Sequence, residues 1–230
     1  SGSRQIGGNI ATKAGGIQVI RYGMTRNWVT GLKVVTGTGE LLELNQGLIK
    51  NNTGLDFRHL FIGSEGILGV IVEATLALTD APTNPRVMVL GVQSMPAIMQ
   101  VLAKCQARLS VLAFEFFSDL ALEKVTAAHS VQPPFQARFP YYALVEFESI
   151  STAAETQALE LVEACMAAGW VEDAVLSQNE SQRRSLWRLR EDISETIAQW
   201  TPYKNDISTT VQQAPEPLRS IDALVSQHYP

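Results

Sequence analysis

Two stretches of this sequence hold residues whose types and spacing could bind anions. The first, Gln5 to Gly16, reads Gln-Ile-Gly-Gly-Asn-Ile-Ala-Thr-Lys-Ala-Gly-Gly. Paired glycines let backbone come close to a ligand and aim several N–H groups at it. Arg4, Lys13, Arg21, Arg26 and Lys33 all precede the first acid, Glu40, in a chain of net charge -5. Cations beside flexible backbone donors suit a pyrophosphate; a glycine turn with a solvated basic face is the plainer alternative. A second glycine-rich segment, Gly63-Ser64-Glu65-Gly66-Ile67-Leu68-Gly69, carries one acid, Glu65. Its spacing is neither GxGxxG nor GxxxxGK[ST], so the two common phosphate-loop patterns are excluded.

The second stretch is a helix expected from about Glu180 to Trp200, with four arginines that are not equivalent. Glu180 lies three and four residues before Arg183 and Arg184, and Glu191 and Asp192 lie three and four after Arg188. Those spacings give ordinary helical ion pairs. Arg190 has no acid at either spacing; its neighbours there are Leu186, Trp187, Ile193 and Ser194. A cation on an apolar face needs an anion from elsewhere. A distant acid would serve, and so would a ligand carboxylate, which the guanidinium fork fits well. Lys204 follows in a run expected to be a strand, Tyr203 to Ser208, where Asp206 on the same face is its plain partner.

The elements that must position these residues fall into two segments. Fourteen of the 16 glycines lie at or before Gly69, and all ten prolines at or after Pro82. The change falls in the turn-forming cluster Thr79 to Pro85, which sets expected domains of 1–81 and 82–230. In the first segment, Trp28–Thr36 and Leu41–Leu44 read as a hairpin, Leu55–Phe61 as a short helix and Val70–Leu78 as a strand. In the second, strands at Val87–Gln93, Val111–Phe117 and Tyr141–Glu148 alternate with helices near 95–108, 119–129 and 151–168. A last helix starts at Pro217. Runs of this kind predict an α+β fold with an antiparallel sheet. A composition of 46% hydrophobic and 18% charged residues is that of an ordinary globular chain. Mild acidity and few aromatics in the basic segment argue against nucleic acid. No apolar run reaches the roughly 20 residues of a membrane span. Cys105 and Cys165 stand apart and read as reduced thiols of an intracellular protein, cytoplasmic or in the mitochondrial matrix.

Taken together, Ile6-Gly-Gly-Asn-Ile-Ala-Thr-Lys-Ala-Gly-Gly, Arg21-Tyr-Gly and His59-Leu-Phe-Ile-Gly-Ser-Glu-Gly-Ile-Leu-Gly-Val resemble the second half of an FAD-binding domain. The resemblance is to the FAD-linked oxidase family that includes vanillyl-alcohol oxidase and p-cresol methylhydroxylase, and within it to the D-2-hydroxyacid dehydrogenase group. Lys13 stands where the family usually has Asn. The resemblance implies that Gly7, Gly8, Asn9, Gly15 and Gly16 line the flavin and its pyrophosphate, with Glu65, Gly66, Gly69 and Val70 cradling the remainder. An acid bonding its own loop amides is the alternative for Glu65. No His lies in these loops, so the FAD is expected to be non-covalent. Leu186-Trp-Arg-Leu-Arg-Glu-Asp-Ile-Ser and Tyr203-Lys-Asn-Asp-Ile-Ser resemble the family's substrate-domain stretch. That resemblance carries carboxylate binding onto Arg190 and Lys204, and a hydroxyl contact onto Ser194.

The family's His-rich motif, which supplies metal ligands and the catalytic base, has no counterpart here; His59, His129 and His228 are scattered. No catalytic residue or metal ligand is therefore assigned in this chain, and a divalent metal would belong to the rest of a longer protein. The chain reads as a fragment: the back of an FAD-binding domain joined to the front of a substrate domain. The expected activity is oxidation of a D-2-hydroxyacid, lactate, 2-hydroxyglutarate or similar, by hydride transfer to FAD. The expected partners are that small substrate and an electron acceptor the sequence does not identify, with a homodimer open. A non-catalytic flavin-binding subunit and a cofactor-free binding module are the competing readings.

Overall fold

The computed structural model describes residues 5–228; Arg4, one of the early cations, lies outside them. The chain divides into two compact units, one ending at Pro82 and the other beginning at Thr83.

In the first unit, β1 (Val29–Thr36) lies between β2 (Leu41–Leu44) and β3 (Gly69–Leu76), antiparallel to both. One face is packed by Ile10, Phe61 and Ile62 against Val29, Leu32 and Val34. On β1, Lys33 pairs with Glu73 at 3.2 Å and reaches Glu43 at 3.9 Å, its register partners on either side. Such cross-strand charge pairs fix register more than they stabilise. The glycine stretch expected to be a loop is a short helix, α1 (Ile6–Ala11). Glycine disfavours helix, yet burial of Ile10 holds this one. A further short helix, α2 (Val19–Tyr22), a 3-10 turn at Thr25–Trp28 and a single turn, α3 (Arg58–Phe61), complete the described part of the unit.

The second unit is built on an antiparallel sheet in the order β5-β6-β4-β7, with β4 at Pro85–Val92, β5 at Val111–Ser118, β6 at Tyr141–Glu148 and β7 at Val171–Leu176. Both faces are covered. Residues of α4 (Met95–Arg108) and α6 (Thr152–Ala167) pack on one face, over Met88, Leu90, Val145 and Phe147. Trp187 and Leu189 of α7 (Glu180–Glu191) and Leu122 of α5 (Asp119–Ala128) pack on the other, over Val87, Val89 and Leu144. A strand buried on both sides reads as an apolar run rather than an alternation, as in β4 and β6. Side chains of Ser94, Ser118, Ser151 and Asn179 accept a backbone N–H at the starts of α4, α5, α6 and α7. Such caps supply partners for otherwise orphaned donors, at about 1 kcal/mol each. Gly91 on β4 makes room for a ring: a Cβ there would stand 2.4 Å from Phe139.

Three expectations are corrected here. The long helix to Trp200 is interrupted: α7 ends at Glu191, and α8 (Ile193–Ala198) begins beyond Asp192. The run from Tyr203 to Ser208 is not a strand; it has no regular structure and is almost wholly exposed. A β-rich sequence with no neighbour to pair with does not form a strand. The last helix, α9 (Pro215–His228), begins two residues earlier than expected. No described helix is long and apolar enough to cross a membrane.

Candidate functional site

The two glycine-rich stretches meet. Gly63 N–H donates to the Ile10 carbonyl at 3.1 Å, and Glu65 N–H to the Ala11 carbonyl at 2.9 Å. The second glycine stretch thereby adds a donor to the Ile10 carbonyl, which also accepts from Lys13 N–H, and supplies the Ala11 carbonyl at the C-terminal end of α1 with its donor. This contact requires a tight turn, and Gly63, Glu65 and Gly66 all have positive φ, at 89°, 52° and 86°. Glutamate is strained in that region where glycine is not. Ser64 is buried between them, its hydroxyl donating to the Phe61 carbonyl at 2.9 Å.

The backbone N–H groups of Asn9, Thr12, Lys13 and Ala14 are used within the stretch itself. Those four donors are therefore not aimed outward. What the segment offers is open space. A Cβ added at Gly7, Gly8, Gly16 or Gly66 would meet nothing within 4 Å, so these residues present bare backbone that a flat or extended group can approach. Gly15 and Gly69 have packing reasons of their own. A Cβ on Gly15 would press on the Met24 side chain at 2.9 Å, and one on Gly69 on the Val35 carbonyl at 2.7 Å. Val70 is exposed on β3, and Asn9 is half-buried. The side chain of Glu65 is exposed, and among the described residues its carboxylate accepts no hydrogen bond, so the loop-amide alternative is not realised.

In the second unit the arginines of α7 separate as their spacings require. Arg183 and Arg184 both bind Glu180 at 2.7 Å, and Arg188 binds Asp192 at 2.8 Å. Hydrogen bonds from Arg183 and then Arg184 hold the Glu180 carboxyl down to about 2. Arg190 has the distant acid that its own helix lacks: its Nε donates to Glu115 Oε2 on β5 at 2.8 Å. A ligand is thus not needed to balance its charge: of the two partners left open by the sequence, the distant acid is present. Glu115 engages Nε alone, and among the described residues Nη1 and Nη2 of Arg190 have no partner. Ser194 is exposed on α8, beyond the break at Asp192. Lys204 is exposed and makes no ion pair among the described residues, with Asp206 or any other acid. Among the described residues no hydrogen bond joins Lys204 to Arg190.

Sequence reasoning missed two acids that matter to α7. Glu146, only 2% exposed, accepts from Arg183 Nη1 at 2.6 Å and from Trp187 Nε1 at 3.0 Å. Glu115 is the other. Each stands inside an apolar strand, and a buried acid in such a run must find a cation or donor. That signal was present in Val111–Ser118 and Tyr141–Glu148. A cleft of about 560 Å³ in this unit is lined by Pro133, Pro134, Gln178, Gln182, Ser185 and Arg188 among others, and not by Arg190. Among the described residues no three His, Cys, Asp or Glu side chains gather to hold a metal.

The model of the FAD linked oxidases, C-terminal domain, matches residues 81–229, and that of the FAD binding domain matches residues 1–45. A protein named D-2-hydroxyglutarate dehydrogenase from Stutzerimonas stutzeri is 58% identical over 230 residues, all of this chain and 50% of that protein. One of the same name from Xanthomonas citri is 56% identical over 229 residues, 100% of this chain and 48% of that protein. The chain thus spans about half the length of the curated relatives it matches. A solved alkyldihydroxyacetonephosphate synthase superposes with a TM-score of 0.65 at 16% identity, over 97% of this chain and 46% of that one. At that identity the likeness is one of fold, α+β with antiparallel sheets. The matched domains, the fold and the two glycine stretches agree: the chain belongs to the family of FAD-linked oxidases.

Proposed function

We propose that this chain is part of an FAD-dependent dehydrogenase that oxidises a D-2-hydroxyacid, with D-2-hydroxyglutarate the first candidate, to the 2-oxoacid. The observation that carries this reading is identity of 58% and 56%, across the whole chain, to proteins named D-2-hydroxyglutarate dehydrogenase. In it, residues 1–81 are the later half of the flavin domain and residues 82–230 the earlier part of the substrate domain.

The residues fit a flavin. Bare backbone at Gly7, Gly8, Gly16 and Gly66 leaves room for close approach. Asn9, Glu65 and the exposed Val70 stand beside it, while Gly15 and Gly69 allow the close packing of the surrounding backbone. FAD, when bound, supplies the acceptor for the hydride leaving the substrate's α-carbon. The chain's own work is to hold the substrate. Arg190 offers two N–H groups to one carboxylate, and Lys204 offers a mobile ammonium to a second, which suits a dicarboxylate better than lactate. Ser194, four residues beyond Arg190 and at the start of α8, adds a hydroxyl. Holding the reacting carbon in place is where such side chains contribute to rate. The electron acceptor, a homodimer and a cytoplasmic location belong to the same reading.

The test uses the intact protein carrying this chain, purified with its flavin and mixed anaerobically with D-2-hydroxyglutarate, L-2-hydroxyglutarate or D-lactate. D-2-hydroxyglutarate is expected to bleach the flavin absorbance and the L-enantiomer to leave it. A flavin untouched by every hydroxyacid would mark the protein as a non-catalytic flavin carrier.

A further inference from the structure

Three residues of α7, Arg183, Trp187 and Arg190, recur at helical spacing and so share one face of that helix. That face meets two carboxylates on the sheet. Arg183 and Trp187 both reach Glu146 on β6, and Arg190 reaches Glu115 on β5. The two acids stand on the same side of the sheet. Glu115 pairs with Leu144 across the strands, and Ala113 with Glu146, so the acids are diagonal neighbours on an otherwise apolar face. Two like charges side by side in an apolar layer are a poor way to gain stability. Apolar side chains would pack α7 there at least as well. They would not fix its rotation about its own axis, as directional hydrogen bonds to two fixed acceptors do.

We infer that Glu115 is a positioning residue for substrate binding: it holds Arg190 by Nε, and so presents the Nη1–Nη2 edge of the guanidinium to a substrate carboxylate. This rests on the reading of Arg190 as a carboxylate clamp. An arginine held at one edge keeps two parallel donors for a bidentate bond and loses less freedom when the ligand arrives. A free arginine would have to be ordered at each binding event. The acid also opposes the substrate's charge. The balance between those effects is separable, because an amide keeps the acceptor oxygen and lacks the charge.

The experiment is steady-state kinetics of the intact enzyme with D-2-hydroxyglutarate, with bound flavin and melting temperature measured alongside. Glu115→Ala is expected to raise KM about tenfold, the scale of one charge-assisted hydrogen bond, with flavin content unchanged. Glu115→Gln, which retains an acceptor for Nε, is expected to bring KM back toward that of the wild type. In an Arg190→Lys background Glu115→Ala is expected to add less than about twofold, since it acts through Arg190. Full additivity in that background, or an Ala variant with unchanged KM beside an impaired Arg190→Lys, overturns the positioning role alone. If Arg190→Lys itself leaves KM and kcat unchanged, the clamp reading falls and the inference with it. Should Glu115→Ala fail to fold, the Gln variant decides: a tenfold rise in KM there overturns the inference, and retention supports it.

Discussion

Strands β3 and β6 are both eight residues long and both rich in apolar side chains, yet the protein treats them oppositely. In β6 every residue from Tyr142 to Phe147 is buried, because helices lie over both faces of a sheet in which it is central. In β3, at the edge of the smaller sheet, Val70 is 63% and Val72 56% exposed. The difference teaches that apolar content decides that a segment is a strand, whereas the neighbouring layers decide how much that strand stabilises.

The comparison is broken most directly by truncating one residue in each strand. Phe147→Ala should cost about 3–5 kcal/mol in denaturant unfolding, since the ring is fully buried in a layer that cannot collapse around the void. Val72→Ala should stay within about 0.5 kcal/mol. Equal losses would mean that β3 is covered as β6 is.

A smaller effect is expected from the glycines, with opposite readouts in the two units. Gly91→Ala places a methyl group against the buried Phe139 ring and should destabilise by about 1–3 kcal/mol. Gly8→Val meets open space and should leave the melting temperature of the intact protein nearly unchanged while lowering its flavin content. Full flavin occupancy in that variant would reduce the glycine stretch to a structural turn. Hydrogen exchange sharpens the same contrast without mutation. Amides of β4 and β6 should exchange only through global opening, and those of β3 markedly faster, in a mass-resolved time course.

The smallest effect is electrostatic. The Glu180 carboxyl, held near 2 by two arginines, has a folded value below its unfolded one. Its pairing therefore contributes above the ordinary carboxylate range near 4.5 and is lost as pH falls toward 2. Carbon-detected NMR of the side chain should find it still ionised at pH 3.5. Lying at the surface, it should leave the acid unfolding midpoint little changed when replaced by Gln.

What was legible in the sequence is what local spacing encodes. Tyr141–Glu148 and the pairs of Arg183, Arg184 and Arg188 are found as expected, because a strand run or an acid three or four residues away is a local property. Glu115 and Glu146 were missed as partners because they lie 75 and 37 residues from their arginines, a distance only the folded sheet closes. The helix at Ile6–Ala11 was misread for a related reason. Its glycines argue for a loop, and what overrides them is burial of Ile10 and contact with a segment more than fifty residues away. Tyr203–Ser208 failed in the opposite sense: propensity was present and a neighbour was not.

The strand order of the larger sheet also bears on how this protein is made. β4 is the first of its four strands to leave the ribosome, and both of its eventual neighbours, β6 and β7, are synthesised after α4, β5 and α5. Until then its almost wholly apolar side chains and both of its backbone edges are without partners. Long-range pairing of this kind slows folding and leaves aggregation-prone surface on the nascent chain. The segment from Pro85 to Val92 is accordingly the one a chaperone would have to shield longest.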